Sequence, residues 1–298
     1  MIRGIQHLAS PLAGMRALAL VGLMAALLCG CGHAPERAAE PQATPADGPT
    51  AQVPAPQPTP GAPAPASAPD PVWEAAKSEA TERVIPLYIH HRAELAEGLE
   101  HYQIERGSTR RREIALTFDD GPHPSYTNKL VSILQSHNAR ATFFMVGSMA
   151  AKYPELVKLV VAGGNQLANH TYHHENLTAV SPEEIAVEMK ACGDVLRQFT
   201  PTPPRLFRPP GGNFDKQVLQ IARAAGYSTV FWTTNTADYL EPGVDTVVNR
   251  VVRNACNGAI FLMHDGYGQT ILALPKILDA LRAQGYRLVT VDELTRGS

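Results

Sequence analysis

From Arg112 onward, short runs of β-branched and aromatic residues alternate with longer amphipathic stretches. The two periodicities predict strands over 113–118, 141–146, 166–169, 206–208, 228–233, 259–263 and 287–291. Helices are predicted between them, over 127–137, 149–162, 182–199, 216–225, 246–254 and 272–284. Strands that alternate with helices need crossover connections, so the fold class is α/β with a parallel sheet, closed as a barrel or open and doubly wound. Upstream, 73–107 reads as helix interrupted at Pro86, with apolar spacing such as Leu95, Leu99 and Tyr102 and no identifiable chemistry.

Before that segment the periodicity disappears. Of the 25 prolines, twelve fall between Pro35 and Pro71, among Ala, Gln and Thr. Such a stretch buries little apolar area and lacks amide donors, so it is expected to form an extended tether. Ahead of it, Arg3 and Arg16 precede the apolar run 17–28, which has the length of a signal-peptide core and is short for a membrane span. Met15 offers an alternative start that leaves this reading intact. Leu28-Cys29-Gly30-Cys31 resembles a bacterial lipobox, with Cys31 as the lipid-bearing residue; an ordinary cleaved signal peptide with incidental cysteines is the alternative. The expected organisation is a signal peptide over 1–30, a lipidated cysteine and linker over 31–71, a helical extension over 72–110 and the main domain over 111–298. Export, and a lipid anchor in the cell-envelope membrane, follow from that reading.

Charge narrows the partners. With 26 Lys plus Arg against 28 Asp plus Glu the formal net charge is −2, which offers no track for nucleic-acid phosphates. The run Arg110-Arg111-Arg112 is a solvated lead-in to a strand. Cys192 and Cys256 match no zinc-binding spacing and are expected as two separate buried thiols. A monomer is expected.

The polar clusters fall just after predicted strands: Asp119-Asp120, His170 with His174, Arg208, Asp238 and His264. In a parallel barrel those positions share the C-terminal rim, where active sites are assembled. In Thr117-Phe118-Asp119-Asp120-Gly121-Pro122 a strand ends in adjacent carboxylates that diverge, so one can hold a cation while the other accepts a proton. A solvated Asp-Gly-Pro turn is the plainer alternative. His170-Thr171-Tyr172-His173-His174 spaces two imidazoles at i and i+4, which on a helical turn would share one side and suit one metal ion. Two histidines and a carboxylate leave coordination positions open, a pattern that also fits a non-haem iron oxygenase. His173 projects differently and is read as a flank.

Over roughly 112–298 these residues resemble carbohydrate esterase family 4 polysaccharide deacetylases, the NodB-homology domain. TFDDGP is intact, H-[ST]-x-x-H is His170 to His174, RPPxG is Arg208-Pro209-Pro210-Gly211-Gly212, and Leu-x-His is Leu262-Met263-His264. The resemblance implies a distorted (β/α) barrel that removes N-acetyl groups from an amino-sugar polymer such as peptidoglycan, poly-N-acetylglucosamine or chitin. It implies a Zn²⁺ ion, or Co²⁺ or another divalent transition metal, on Asp120, His170 and His174. Asp119 would be the base, His264 the acid, Arg208 the group that orients the base, and Asp238 the partner that raises the pKa of His264. Pro210, Gly211, Phe214, Tyr239 and Leu262 are the implied substrate contacts, with Phe214 either stacking on a sugar or packing. The fourth motif departs from the family: Asn235-Thr236-Ala237-Asp238-Tyr239 stands where D-x-x-D-W is usual. That puts pocket shape and substrate preference in question more than chemistry. An acetylxylan-type O-deacetylase, a small-amide deacylase and a non-catalytic glycan-binding lipoprotein remain as alternatives.

Overall fold

The computed structural model describes residues 70–296. The apolar run, Cys31 and the tether up to residue 69 lie outside the described residues. No helix among the described residues is long and apolar enough to cross a membrane.

The strands are β1 (Gln103–Ile104), β2 (Glu113–Gly121), β3 (Thr142–Met145), β4 (Gln166–Asn169), β5 (Leu206–Phe207), β6 (Ser228–Val230), β7 (Thr234–Asn235), β8 (Ile260–His264) and β9 (Arg287–Leu288). They are ordered β1-β6-β5-β4-β3-β2-β8-β7, with β9 against the start of β2, and every pairing is parallel. The predicted strand over 228–233 ends early, at Val230, and a second strand follows just beyond it: β6 pairs with β5 and β7 with β8. Between them the Phe231 amide donates to the Ile104 carbonyl and that of Thr233 to Ile260, each at 2.8 Å. The chain thus crosses the gap and curls the sheet into the expected distorted (β/α) barrel. Register matters at one place above all, because β2 and β8 set Asp119 directly beside His264.

Side-chain parity separates two cores. Ala115, Phe144, Ala168, Leu206, Val230 and Ile260 fill the barrel interior, and Val291 and Leu294 of α11 (Val291–Thr295) complete that cluster. The alternate residues Ile114, Leu116, Phe118, Phe143, Met145, Leu167, Phe207, Phe261 and Met263 belong to the cluster shared with the outer helices. Those helices are α4 (Thr127–Ser136), α5 (Gly147–Lys152), α6 (Pro154–Ala162), α7 (Pro182–Arg197), α8 (Lys216–Ala224), α9 (Val244–Arg253) and α10 (Gly268–Ala283). The predicted helix over 149–162 is divided at Pro154, which has no amide to continue the first helix and instead opens the second. Before α7, Ser181 and Glu184 form a reciprocal capping box.

Upstream, Pro71 is the first residue of α1 (Pro71–Glu79) and Asp70 caps it, so helix begins within the span expected as linker. Pro86 does not interrupt the extension. It sits in the first turn of α2 (Ile85–His90), and the preceding turn, Ala80–Val84, is widened to i→i+5 bonding, which accommodates the missing amide. The break comes later: α3 (Arg92–Ala96) ends before Gly98, whose φ of 63° is left-handed, so Leu95 and Leu99 do not share a helix. Ala76, Ala80, Val84, Ile85 and Tyr88 join the same outer core as the barrel helices.

Candidate active site

Strand parity aims the polar residues. On β2, Thr117 and Asp119 continue the inward set begun by Ala115, and Leu262 and His264 continue that of Ile260 on β8. Arg208 lies two residues beyond Leu206, and His170 two beyond Ala168. All arrive at the C-terminal mouth of one barrel. Asp120 leaves the pattern: its φ of 71° is left-handed, and instead of pointing to the opposite face its carboxylate reaches the same centre as that of Asp119, the two lying 3.4 and 3.8 Å from His170 Nε2. The following Gly121 is required by space, since a Cβ there would lie 2.5 Å from Oδ2 of Asp265.

Asp120 Oδ1 stands 3.1 Å from His174 Nε2 and 3.4 Å from His170 Nε2. One donor atom from each of the three residues falls within 4.8 Å of the others. The segment is not the helical turn that i, i+4 spacing predicted. It is a loop in which Thr171 and His174 both have φ of 65°, bridged by the His174 amide donating to Thr171 Oγ1 at 3.0 Å. His170 Nδ1 is 2.8 Å from the Arg208 carbonyl. A carbonyl only accepts, so Nδ1 carries the proton and Nε2 presents a lone pair toward Asp120. This donor set fits a divalent ion. Burial works against ionisation of Asp120, yet the two imidazoles hold its carboxyl well below the usual range.

Arg208 is completely buried beside this centre. Nη1 donates to Asp119 Oδ1 at 2.6 Å and to Thr117 Oγ1 at 2.8 Å, Nε to the Val230 carbonyl at 3.1 Å and Nη2 to that of Phe231 at 3.0 Å. The guanidinium lies 4.0 Å from the Phe144 ring centroid. Asp119 thereby has one oxygen fixed, while Oδ2 faces the centre, 3.8 Å from His170 Nε2.

Across the mouth, His264 Nδ1 is 2.8 Å from Asp238 Oδ1, which leaves Nε2 as the ring nitrogen for another partner. Asp238 has no exposed surface and is held from several sides: Oδ2 accepts from the His264 amide at 2.9 Å and Thr270 Oγ1 at 2.6 Å, and Oδ1 from the Tyr239 amide at 3.1 Å. Burial disfavours protonated His264, but its hydrogen bond to Asp238 and the charges of Asp119, Asp238 and Asp120 outweigh it and raise its pKa.

Among the proposed substrate contacts, Tyr239 is exposed with its ring 5.1 Å from that of His264. Phe214 is exposed on one side and packs on Phe231 with the other, centroids 4.6 Å apart. Gly211 is exposed at a φ of 62°, on a turn anchored by buried Pro210. Leu262 is buried below the mouth. Trp232 is half-buried in the crossing between β6 and β7, where the Arg208 guanidinium lies 5.6 Å from its ring. His173 pairs with Glu188 and takes no place in the three-residue centre.

Sequence reasoning passed over three supporting residues. Thr117 receives Arg208 and donates to the Phe261 carbonyl at 2.8 Å. Glu188, 2% exposed on α7, accepts from the amides of Tyr172 and His173 at 2.8 Å each; its only signal is a carboxylate within the apolar face of a helix. Asp265 accepts from Thr127 Oγ1 at 2.5 Å, and that same hydroxyl accepts from the His123 amide at 2.7 Å, which fixes the turn after the paired carboxylates.

Comparison with known proteins gives a consistent picture. The family model for polysaccharide deacetylase matches residues 106–230. A peptidoglycan-N-acetylglucosamine deacetylase of Bacillus cereus is 43% identical over 188 residues, 61% of this chain and 88% of the relative. A chitooligosaccharide deacetylase of a Bradyrhizobium species is 35% identical over 198 residues, 61% of this chain and 90% of that protein. A crystal structure of a peptidoglycan N-acetylglucosamine deacetylase bound to an N-hydroxybenzamide superimposes with a TM-score of 0.64 at 32% identity, covering 66% of this chain and 94% of that one.

Proposed function

This chain belongs to the polysaccharide deacetylase family, carbohydrate esterase family 4, and from that membership we propose that it hydrolyses N-acetyl groups of an amino-sugar polymer in the cell envelope, with peptidoglycan as the leading substrate. The observation that carries the reading is the convergence of Asp120, His170 and His174 within 4.8 Å, beside a carboxylate and an imidazole on adjacent strands. Those three residues would hold a divalent ion, zinc on the chemistry of the donors. Such an ion supplies Lewis acidity and lowers the pKa of water.

The remaining work belongs to the chain. Asp119, its Oδ1 held by Arg208, takes a proton from the attacking water through Oδ2. Protonated His264 gives its Nε2 proton to the nitrogen as the C–N bond breaks, so acetate and a free amine leave. Asp238 keeps that imidazole oriented and charged. The Gly211 amide of the Pro210–Gly211 turn is assigned to the developing oxyanion, and Tyr239 and Phe214 border the sugar. The domain is assigned to 111–298 and the reading places it outside the cytoplasm, anchored through Cys31, with support from the residue pattern of the leader.

The test is acetate release from peptidoglycan, chitooligosaccharide, poly-N-acetylglucosamine and acetylxylan, with the metal removed by chelation and then restored. Release from the amino-sugar polymers, lost on chelation and recovered with zinc, is expected. Release from acetylxylan alone would reassign the substrate, and no release from any of the four would favour a glycan-binding role.

A further inference from the structure

Residues 70–104 precede the region matched by the family model, and their sequence shows no chemistry. In the fold, their first turn lies against the loop that carries His170 and His174. Two non-glycine residues of that loop, Thr171 and His174, hold left-handed backbone, a state that persists only where surrounding contacts enforce it. One set of contacts comes from within the barrel. Glu188 accepts from the amides of Tyr172 and His173 and pairs with His173 Nδ1, all at 2.8 Å.

The second set comes from α1. Oδ2 of Asp70 accepts a hydrogen bond from the Tyr172 hydroxyl. The Trp73 ring lies 4.6 Å from the His173 ring and 5.9 Å from that of Tyr172. Both α1 residues are themselves fixed: Asp70 Oδ1 accepts from the Val72 amide at 2.9 Å, Ala76 and Ala80 are fully buried, and Glu79 meets Lys190 of α7 at 2.6 Å. The two loop residues they grip sit between His170 and His174.

We propose that Asp70 and Trp73 are positioning residues for the metal centre: they clamp Tyr172 and His173 and so fix the separation and aim of the imidazoles on either side. The proposal rests on the reading of Asp120, His170 and His174 as metal ligands. Groups that orient ligands typically govern affinity by about 10- to 100-fold, so the clamp acts on how tightly the ion is held. The functional unit therefore includes α1, although the recognised family region starts some 35 residues after Asp70.

The experiment uses the full chain with Trp73→Ala, Trp73→Phe and Tyr172→Phe. Zinc affinity is measured by competition with a chromophoric chelator, and the melting temperature is taken metal-free and zinc-saturated. Trp73→Ala and Tyr172→Phe should bind zinc about tenfold more weakly or worse, with a smaller zinc-induced rise in melting temperature, and Trp73→Phe should recover most of the affinity. Wild-type affinity in Trp73→Ala and Tyr172→Phe overturns the clamp, however far the metal-free melting temperature falls, because the segment would then serve packing alone. Should Trp73→Ala fail to fold, Tyr172→Phe decides, since it deletes a single oxygen. His174→Ala separates the two readings: if it binds zinc as tightly as wild type, the metal centre itself is wrong.

Discussion

Arg208 and Asp119 form an ion pair at 2.6 Å in which the arginine side chain is wholly buried and the aspartate side chain 5% exposed. Removing one partner leaves an uncompensated charge in a place water barely reaches. Arg208→Ala should therefore destabilise the fold by about 3–5 kcal/mol, read by denaturant unfolding. Arg208→Lys should rescue little, because an ammonium cannot serve Asp119, Thr117 and two carbonyls from one planar fork. Full stability in the lysine variant would show that charge alone suffices.

Asp119→Asn keeps the volume and loses the proposed proton acceptor. Acetate release should drop by roughly 10²–10⁴-fold, while zinc affinity stays near wild type because Asp119 lies outside the three-residue donor set. A comparable loss of zinc affinity would make it a ligand instead of a base.

The proposed acid, His264, can be read through pH. Burial pulls the pKa of His264 down, but Asp238, Asp119 and Asp120 together raise it. A group that must be protonated to act loses activity as pH rises through its pKa, so the raised value extends activity toward alkaline pH. Asp238→Asn removes one anion and keeps the shape; the alkaline limb of kcat/KM should move down by about one pH unit. An unmoved limb would assign it to another group.

Parity along four short strands made the catalytic face legible: Thr117 with Asp119, Ala168 with His170, Leu206 with Arg208, and Leu262 with His264 all fall at alternating positions. Motif chemistry then named the same residues. Backbone left-handedness at Asp120, Thr171 and His174 was hidden, because none is a glycine and each is held by distant contacts. Closure of the sheet through 228–235 was hidden too, since one short β-prone segment supplies two strands to different neighbours. The approach of Trp73 to His173 joins residues 100 positions apart, and no local pattern encodes it.

Asp265 gives a stability test with a definite sign. Burial pushes its carboxyl up to about 7, against the pull of hydrogen bonds from Thr127 and the His123 amide. The native state thus retains a proton that the unfolded chain loses near its ordinary value of about 4, and between these two pH values stability declines as pH rises. In metal-free protein, the melting temperature of Asp265→Asn relative to wild type should climb from pH 4 to pH 7 and then level off. A constant difference would mean that the carboxyl titrates normally.

Gly212 tests the support beneath the arginine. It has a φ of 70°, and a Cβ there would fall 2.6 Å from Cη2 of Trp232, the ring beside Arg208. Gly212→Ala should cost about 1–3 kcal/mol and lower activity with it. Unchanged melting and turnover would show that the indole yields freely.

The register that seats Asp119 opposite His264 ties the two side chains to one inter-strand spacing, about 4.8 Å, set by main-chain hydrogen bonds. Backbone pitch is a quantity that mutation of rim loops does not alter. Lineages of this scaffold are therefore free to rebuild the walls of the mouth, while the separation of these two side chains at their strands is inherited unchanged.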